Sequence, residues 1–213
     1  RGSSYSVDSI WILPSGKSIP QVLLQDQVFS YDLPVWSHDG EWIAFRQRNA
    51  SDKSSWRLGI IRKNGTNNEV FDKKYDAIGW ISWSAGDQAL IFDTPSSPFA
   101  LDVFTGEMTD LWPDSNIYTS ETRLMPSPKD NVVAFAEFSN ESGTEVKLWL
   151  ITLVGEKLEN IKLPVEIKPQ CRSGVTTLEW SPDGTSILTQ FRGWPWKECL
   201  PQLWLYKLSE KRW

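Results

Sequence analysis

Short runs of apolar and β-branched residues, separated by polar turn residues, recur along the chain. Trp42–Phe45 and Ala89–Phe92 are two such runs, and each follows a segment that contains Ser, Asp and Gly. No stretch of useful length repeats apolar residues at i, i+3 and i+4, which is the spacing of an amphipathic helix. Because β-rich runs bounded by turn residues are typical of hairpins, the pattern predicts an all-β protein.

A motif built around a shared serine occurs four times. Its copies are segments 34–45, 81–92, 124–135 and 178–189, with the serine at Ser37, Ser84, Ser127 and Ser181. The spacing of roughly 40–55 residues is the period of propeller blades or of large helical repeats. The segment from Ser181 to Gly184 reads Ser-Pro-Asp-Gly, which forms tight turns because Pro fixes φ and Gly accepts a left-handed conformation. These turn residues therefore favour propeller blades over large helical repeats.

A second hairpin follows each copy of the motif, which gives four strands per repeat, as in a propeller blade. Strands are predicted near residues 32–37, 42–48, 56–62, 78–83, 88–93, 131–138, 146–153, 176–181 and 202–208. The fold prediction is a β-propeller of four-stranded antiparallel blades, with a half blade at 7–27 and fuller blades at 32–72, 78–112, 121–163 and 175–213. These units either form an open arc of a larger ring or close into a small ring. We favour the arc because both termini fall inside blades, and an open ring would leave edges available for a homo-oligomer.

The motif resembles the core of the TolB-type, WD-like β-propeller repeat family, Trp-Ser-Pro-Asp-Gly-x-x-Ile-Ala-Phe. Segments 34–45 and 178–188 match it well, 81–92 matches moderately and 124–135 matches weakly. With the flanking strands, the resemblance covers roughly residues 7–213. It implies blade architecture and says little about function, since one fold hosts many functions. The family includes the gating propellers of prolyl-oligopeptidase-type peptidases.

Residues that share a repeat position are expected to have structural roles. The tryptophans at this position, Trp36, Trp83 and Trp180, are predicted to pack between blades. The repeated carboxylates Asp39, Asp87, Asp130 and Asp183 are predicted to accept turn hydrogen bonds. His38, the single histidine, occupies the Pro position of its turn. A catalytic pair would break the repeat, whereas these residues follow it.

Composition narrows the function classes. The net charge is −5 and the pI is about 5.0 over 213 residues, which argues against nucleic-acid or anionic-membrane partners. No apolar stretch reaches the roughly 18 residues that span a bilayer. No Gly-x-Ser-x-Gly motif and no Cys/His cluster is present, so we predict no enzyme, no metal site and no cofactor. A non-catalytic scaffold for another protein or peptide is the primary prediction. The alternatives are a peptidase gating propeller that lacks its catalytic domain and a carbohydrate-binding module.

The loop 192–201 is the strongest candidate binding segment. Trp194 and Trp196 flank a proline there, and Arg192 and Lys197 stand beside them. An exposed aromatic platform of this kind would bind a sugar ring, a Pro-rich peptide or a partner protein. The alternative is that both indoles fold back and pack on the edge of their own blade.

The two cysteines and the glycosylation sequons bear on location. Cys171 lies in the connector that enters the last blade and Cys199 lies in the loop 192–201, so a meander brings both to one face. The prediction is a disulfide that fixes this loop in an oxidising compartment, with two free thiols as the alternative. Sequons at Asn49, Asn64 and Asn140 predict surface loops and are weak evidence for glycosylation. Together these features predict a secreted or periplasmic protein.

Overall fold

A computed structural model of the chain describes residues 8–51, 54–112, 123–138, 146–162, 172–194 and 201–212. Over these ranges the secondary structure consists of strands and turns without a helix. The strands form five antiparallel sheets that follow one another along the chain. The prediction of an all-β fold built of antiparallel blades is therefore confirmed.

The strands are numbered in chain order. Sheet 1 contains β1 (Ile10–Ile12) and β2 (Gln21–Leu24). Sheet 2 contains β3 (Phe29–Trp36), β4 (Trp42–Asn49), β5 (Arg57–Arg62) and β6 (Glu69–Val70). Sheet 3 contains β7 (Ile81–Trp83), β8 (Ala89–Asp93), β9 (Pro98–Asp102) and β10 (Met108–Asp110). Sheet 4 contains β11 (Arg123–Pro126), β12 (Val132–Phe138), β13 (Val146–Thr152) and β14 (Lys157–Lys162). Sheet 5 contains β15 (Arg172–Trp180), β16 (Ser186–Trp194) and β17 (Gln202–Lys207).

Each sheet is a simple meander in which consecutive strands pair antiparallel. By its place in the meander, sheet 1 supplies the third and fourth strands of a blade, because β2 leads directly into the first strand of sheet 2. Sheet 5 holds the first three strands. Among the described residues no strand of sheet 5 pairs with sheet 1, and no ring closure is observed in that part of the chain.

The core consists of four apolar clusters, and each lies between two successive sheets. Alternation along the second strand of each blade explains this arrangement, because neighbouring side chains point to opposite faces. In β4, Ile43 and Phe45 pack toward sheet 1, whereas Ala44 packs toward sheet 3. In β8, Leu90 and Phe92 face sheet 2. Each blade therefore depends on both neighbours for burial.

The repeated Ser and Asp build the turn between the first two strands. The Ser37 hydroxyl donates to Asp39 Oδ1 at 2.6 Å and accepts the Trp42 N–H at 2.9 Å. Ser181 makes the same 2.6 Å bond to Asp183 Oδ1. Hydrogen bonds from Ser181 and then from Thr185 lower the pKa of Asp183 to about 2. These residues have the structural role that the repeat predicts.

Asp87 departs from that role and joins two blades. Its carboxylate accepts the backbone N–H groups of His38 at 2.8 Å and of Asp39 at 2.9 Å, both in the turn of the preceding sheet. His38 Nδ1 also lies 2.8 Å from Asp87 Oδ1. Asp87 itself has a positive φ of 54°, which Asp tolerates better than most residues. The only histidine in the sequence therefore takes part in the contact that joins the turns of sheets 2 and 3.

The repeated tryptophans behave in two ways. Trp83 Nε1 donates to the Val35 carbonyl at 3.1 Å, and Trp180 Nε1 donates to the Met125 carbonyl at 2.9 Å. Both acceptors lie in the first strand of the preceding sheet, so these indoles pack between blades as predicted. Trp36 has the same repeat position but is 48% exposed. The prediction fails for Trp36, because sheet 1 has no first strand among the described residues that this indole could meet.

Strand direction gives the structure two faces. The turn face carries the links from first to second and from third to fourth strands, such as Ser37–Glu41 and Lys63–Thr66. The connector face carries the links from second to third strands and the connectors between sheets, such as Thr94–Ser97 and Phe71–Trp80. Residues on the turn face and residues on the connector face therefore belong to different candidate binding surfaces.

Candidate functional site

A cleft of about 450 Å³ opens on the connector face between sheets 2 and 3. One wall is the connector that follows β6, and the other is the link between β8 and β9. The lining residues are Lys73, Lys74, Tyr75, Asp76, Thr94, Pro95, Ser96 and Phe99. We call this set the connector-face cleft.

Backbone hydrogen bonds hold both walls of the connector-face cleft. The Trp56 N–H donates to the Tyr75 carbonyl at 2.7 Å, and the Tyr75 N–H returns a 2.9 Å bond to the Trp56 carbonyl. In the other wall, the Thr94 hydroxyl oxygen accepts the N–H groups of Ser96 at 3.3 Å and Ser97 at 3.2 Å. Local pairing of this kind keeps a loop wall in a single conformation.

An aromatic cluster forms the floor of the cleft. The Tyr75 and Phe92 ring centroids are 5.1 Å apart in an edge-to-face arrangement, and Phe92 stacks on Phe99 at 5.6 Å. The Tyr75 hydroxyl donates to Met108 Sδ at 2.8 Å. Burial raises the pKa of Tyr75 to about 12, so the phenol is neutral at physiological pH. The floor thus offers apolar area and no anionic group.

Two lysines stand at the mouth of the cleft. Lys73 Nζ lies 5.7 Å from the Tyr75 ring centroid and 5.5 Å from that of Phe99. Lys74 and Asp76 complete the charged lining, so two ammonium groups face one carboxylate. A cation above aromatic faces gains from the ring quadrupoles and still has donors directed to solvent. The cleft can therefore bind a carboxylate beside an apolar side chain.

A second group of cations adjoins the cleft through Trp56. Arg46 and Arg48 place their guanidinium carbons 4.0 Å and 4.4 Å from the Trp56 ring centroid. Arg46 Nη2 donates to Asp32 Oδ2 at 2.6 Å, and its Nη1 donates to the Ile78 carbonyl in the connector. Burial of Asp32 is the largest single influence and opposes ionisation, but the Arg46 hydrogen bond, the Leu33 N–H and the charges of Arg46 and Arg48 together lower the pKa of Asp32. These contacts add positive charge to the connector side of the interface between sheets 2 and 3.

The candidate residues of the loop 192–201 are described only in part. Arg192 and Trp194 lie at the end of β16, where their Cα partners in β15 are Gly174 and Arg172. The side chains of Arg192 and Trp194 lie outside the described part of the chain. So do Trp196, Lys197 and both cysteines, Cys171 and Cys199. The aromatic platform and the disulfide therefore stay predictions.

Two of the three sequon asparagines are described. Asn64 is exposed in the link between β5 and β6, and its Oδ1 accepts the Thr66 N–H at 3.0 Å. Asn49 ends β4 and is half-buried, with its Oδ1 bonded to the Ser51 N–H at 2.9 Å. Asn140 lies outside the described residues. Glycosylation stays a prediction at all three.

Sequence reasoning missed the connector-face cleft because its walls are far apart in sequence. Thr94–Ser97 contains no aromatic or charged residue. Lys73 and Lys74 form one of three adjacent basic pairs in the sequence, with Arg62–Lys63 and Lys211–Arg212, so the pair alone is not distinctive. The available signal was Tyr75 directly after that pair, in a connector long enough to cover a blade interface. Neither feature alone indicates a site.

Other classes of site are not found in the part of the chain that the structure describes. Over these residues no group of three or more His, Cys, Asp or Glu could hold a metal ion. The same residues include no helix with the length and hydrophobicity needed to cross a membrane.

Comparison with known proteins identifies the fold. No family model and no curated protein matches the sequence. Among solved structures, TolB from Acinetobacter baumannii is 14% identical with a TM-score of 0.62, covering 94% of this chain and 46% of that one. Prolyl oligopeptidase B from Galerina marginata is 12% identical with a TM-score of 0.65, covering 98% and 29%. The β-propeller domain of the Trilobed protease from Pyrococcus furiosus, described as having an open velcro topology, is 12% identical with a TM-score of 0.55, covering 83% and 55%.

These similarities show that the fold is a β-propeller, as the repeat motif implied. The chain spans about half the length of TolB and under a third of the prolyl oligopeptidase. At these identities the likeness concerns the fold. Because one fold carries many unrelated functions, the likeness does not extend to function.

Proposed function

We propose that the chain is a non-catalytic binding scaffold whose connector face recognises a peptide segment of another protein, and that the segment carries a carboxylate beside an apolar side chain. The observation that supports the proposal most directly is the position of Lys73 above Tyr75 and Phe99 at the mouth of the connector-face cleft. Loops held by a rigid framework are where repeat scaffolds concentrate binding. A volume of about 450 Å³ suits one or two side chains of a peptide.

The charge balance supports a carboxylate ligand in an otherwise acidic protein. Two lysines against one aspartate line the cleft, while the whole chain carries a net charge of −5. The local positive charge attracts an acidic segment, whereas the net negative charge of the whole chain repels other acidic surfaces, which favours specificity over raw affinity.

The test uses two matched sets of short synthetic peptides with the same apolar residues, one rich in Glu and one rich in Lys. We expect the Glu-rich set to shift the backbone amide signals of Lys73–Asp76 and Thr94–Ser97 in NMR titrations. Replacement of Lys73 by Ala should weaken binding by about two- to fivefold, the size expected for an exposed ion pair.

Lys63→Ala is the matched control, because it removes the same charge from the turn face, where Lys63 pairs with Glu41 at 2.5 Å. Its effect on peptide binding should be negligible. Equal binding of the Glu-rich and Lys-rich sets, or equal weakening by Lys63→Ala and Lys73→Ala, would contradict the carboxylate proposal.

The loop 192–201 belongs to the same proposal as a second recognition segment. It joins β16 to β17, just as Thr94–Ser97 joins β8 to β9, so both links belong to the connector side of the repeat. Trp194 and Trp196 as anchors, the Cys171–Cys199 disulfide and a secreted or periplasmic location remain proposals that rest on the sequence. A carbohydrate ligand for the same indoles remains the alternative there.

A second candidate function is the gating propeller of a prolyl-oligopeptidase-type peptidase. It is favoured by one observation, which is that the match to the prolyl oligopeptidase covers 98% of this chain. The natural gene decides between the two functions, since a peptidase would carry a Gly-x-Ser-x-Gly motif in an adjoining domain.

A further inference from the structure

The positive charge beside the connector-face cleft is only partly used by the fold. Arg46 and Arg48 stand at alternate positions of β4, so both side chains point to the same side of sheet 2. The nearby carboxylate of Asp32 is already bonded twice, since its Oδ2 accepts from Arg46 Nη2 at 2.6 Å and its Oδ1 accepts the Leu33 N–H at 2.7 Å. Arg46 also donates to the Ile78 carbonyl. One of the two guanidinium groups is therefore held by acceptors within the fold.

Arg48, the other guanidinium, stacks on an aromatic ring. Its guanidinium carbon lies 4.4 Å from the ring centroid of the buried Trp56. Arg48 is half-buried, and its Nε is buried without an acceptor among the described residues. Stacking fixes the plane of a guanidinium and leaves its fork of N–H donors able to match a carboxylate in bidentate geometry. Arg48 therefore has donors that can serve an external acceptor.

Trp56 connects Arg48 to the connector-face cleft. Trp56 and Tyr75 exchange both backbone hydrogen bonds, at 2.7 Å and 2.9 Å, as directly opposite residues of an antiparallel pair do. Side chains of such a pair leave the same face of the ladder and are neighbours. Lys73 Nζ lies 5.7 Å from the Tyr75 ring centroid, as Arg48 lies beside the Trp56 ring. Two adjacent aromatic side chains thus each have a cation beside them.

From these observations we propose that Arg48 is a second carboxylate-binding position on the connector face. The recognised peptide segment then carries two acidic residues, one for Lys73 and one for Arg48, with an apolar residue between them that lies against Tyr75. This inference rests on the proposed function, because it adds a contact to the same peptide. Alternate residues of an extended segment point to one side, so Glu at i, Leu at i+2 and Glu at i+4 present the three groups together.

The test measures the affinity of the 213-residue chain for three synthetic peptides by isothermal titration calorimetry. The two-acid peptide has the sequence Glu-Thr-Leu-Thr-Glu between glycines, and in each one-acid peptide either the first or the second Glu is replaced by Gln. We expect the two-acid peptide to bind about three- to tenfold more tightly than either one-acid peptide, because a half-buried guanidinium contributes more than an exposed ion pair. In Arg48→Gln the two-acid peptide should bind no more tightly than the better one-acid peptide.

Arg57→Gln is the matched control. It removes the same charge from the residue that follows Trp56, but the Arg57 guanidinium carbon lies 5.8 Å from the ring of Phe29, which packs in the cluster between sheets 1 and 2. The preference for the two-acid peptide should be unchanged in this variant. Arg48→Met keeps an apolar stem on Trp56 and should lose the preference as Arg48→Gln does. Thermal melts of each variant check that the fold is retained.

The possible failures separate this inference from the proposed function. Equal affinity for two-acid and one-acid peptides, with Lys73→Ala still weakening both, would overturn the role of Arg48 and leave the proposed function standing. Loss of the preference in Lys74→Ala but not in Arg48→Gln would also overturn it, because Lys74 would then hold the second carboxylate. So would equal weakening by Arg48→Gln and Arg57→Gln, which would indicate a general effect of charge. Failure of all three peptides to bind, or binding that ignores Lys73→Ala, would contradict the proposed function itself.

Discussion

The indole hydrogen bonds between successive sheets provide a quantitative test of how this protein is stabilised. Trp83 is 1% exposed and donates to the Val35 carbonyl at 3.1 Å, whereas Trp36 has the same repeat position and is 48% exposed. Replacing each tryptophan by phenylalanine makes the same chemical change in two environments. We expect Trp83→Phe to destabilise strongly and Trp36→Phe to have little effect.

The expected size follows from two contributions at Trp83. Loss of the N–H leaves the carbonyl of the half-buried Val35 without this donor, which costs about 1–3 kcal/mol. The smaller ring leaves space in a packed interface and costs about 1–2 kcal/mol, a fraction of the 3–5 kcal/mol for complete truncation. The total is about 2–5 kcal/mol, or a fall in Tm of about 5–15 °C for a domain of this size. A surface change such as Trp36→Phe should stay within about 0.5 kcal/mol.

Urea denaturation followed by far-UV circular dichroism measures these differences. Trp180→Phe provides an intermediate case, because this half-buried indole donates to the Met125 carbonyl at 2.9 Å. The expected order of destabilisation is Trp83, then Trp180, then Trp36. Equal effects at Trp83 and Trp36 would refute the reasoning, because burial and the acceptor would then have no influence on stability.

Two further predictions concern a strand and a turn. Gly59→Ala should lower the free energy of unfolding by about 1–3 kcal/mol, because a Cβ there would lie 2.5 Å from Cζ of the buried Phe45 ring. Gly86→Ala, whose Cβ would meet only Gln88 at 3.9 Å, is its control in thermal melts and should change stability little. The second prediction is that Ser181→Ala raises the pKa of Asp183 from about 2 toward 3.8 in an NMR titration. Because the pKa of Asp183 is lowered in the folded state, its contribution to stability is complete above about pH 4 and is lost as pH falls toward 2. An unchanged pKa of Asp183 in Ser181→Ala would contradict the role of the Ser181 hydrogen bond.

Much of the fold could be predicted because the same local chemistry recurs. The predicted strand 42–48 is observed as Trp42–Asn49, and the predicted strand 202–208 as Gln202–Lys207. The short fourth strand Glu69–Val70 was not among the predicted strands. It contains too few residues for any alternation, and its pairing with β5 depends on the sheet that is already formed.

The candidate binding groups were harder to predict because they depend on contacts between blades. The repeat indicated that Trp36 should pack like Trp83, since both share one sequence position. Among the described residues no first strand faces Trp36, and no local sequence pattern could have indicated this. Lys73 and Phe99 likewise come together only when sheets 2 and 3 stack, so their sequence separation conceals the site.

The two faces differ in how much of their polar chemistry is already used by the fold. On the turn face, the Ser37–Asp39 bond closes its own turn, and Asp87 ties the turn of sheet 3 to that of sheet 2. A ligand there would compete with hydrogen bonds that hold adjacent blades together. On the connector face, the exposed Lys73 lies beside aromatic rings, so a ligand can bind it without displacing the hydrogen bonds that join the blades. Binding at the connector face would therefore disturb fewer hydrogen bonds between blades than binding at the turn face.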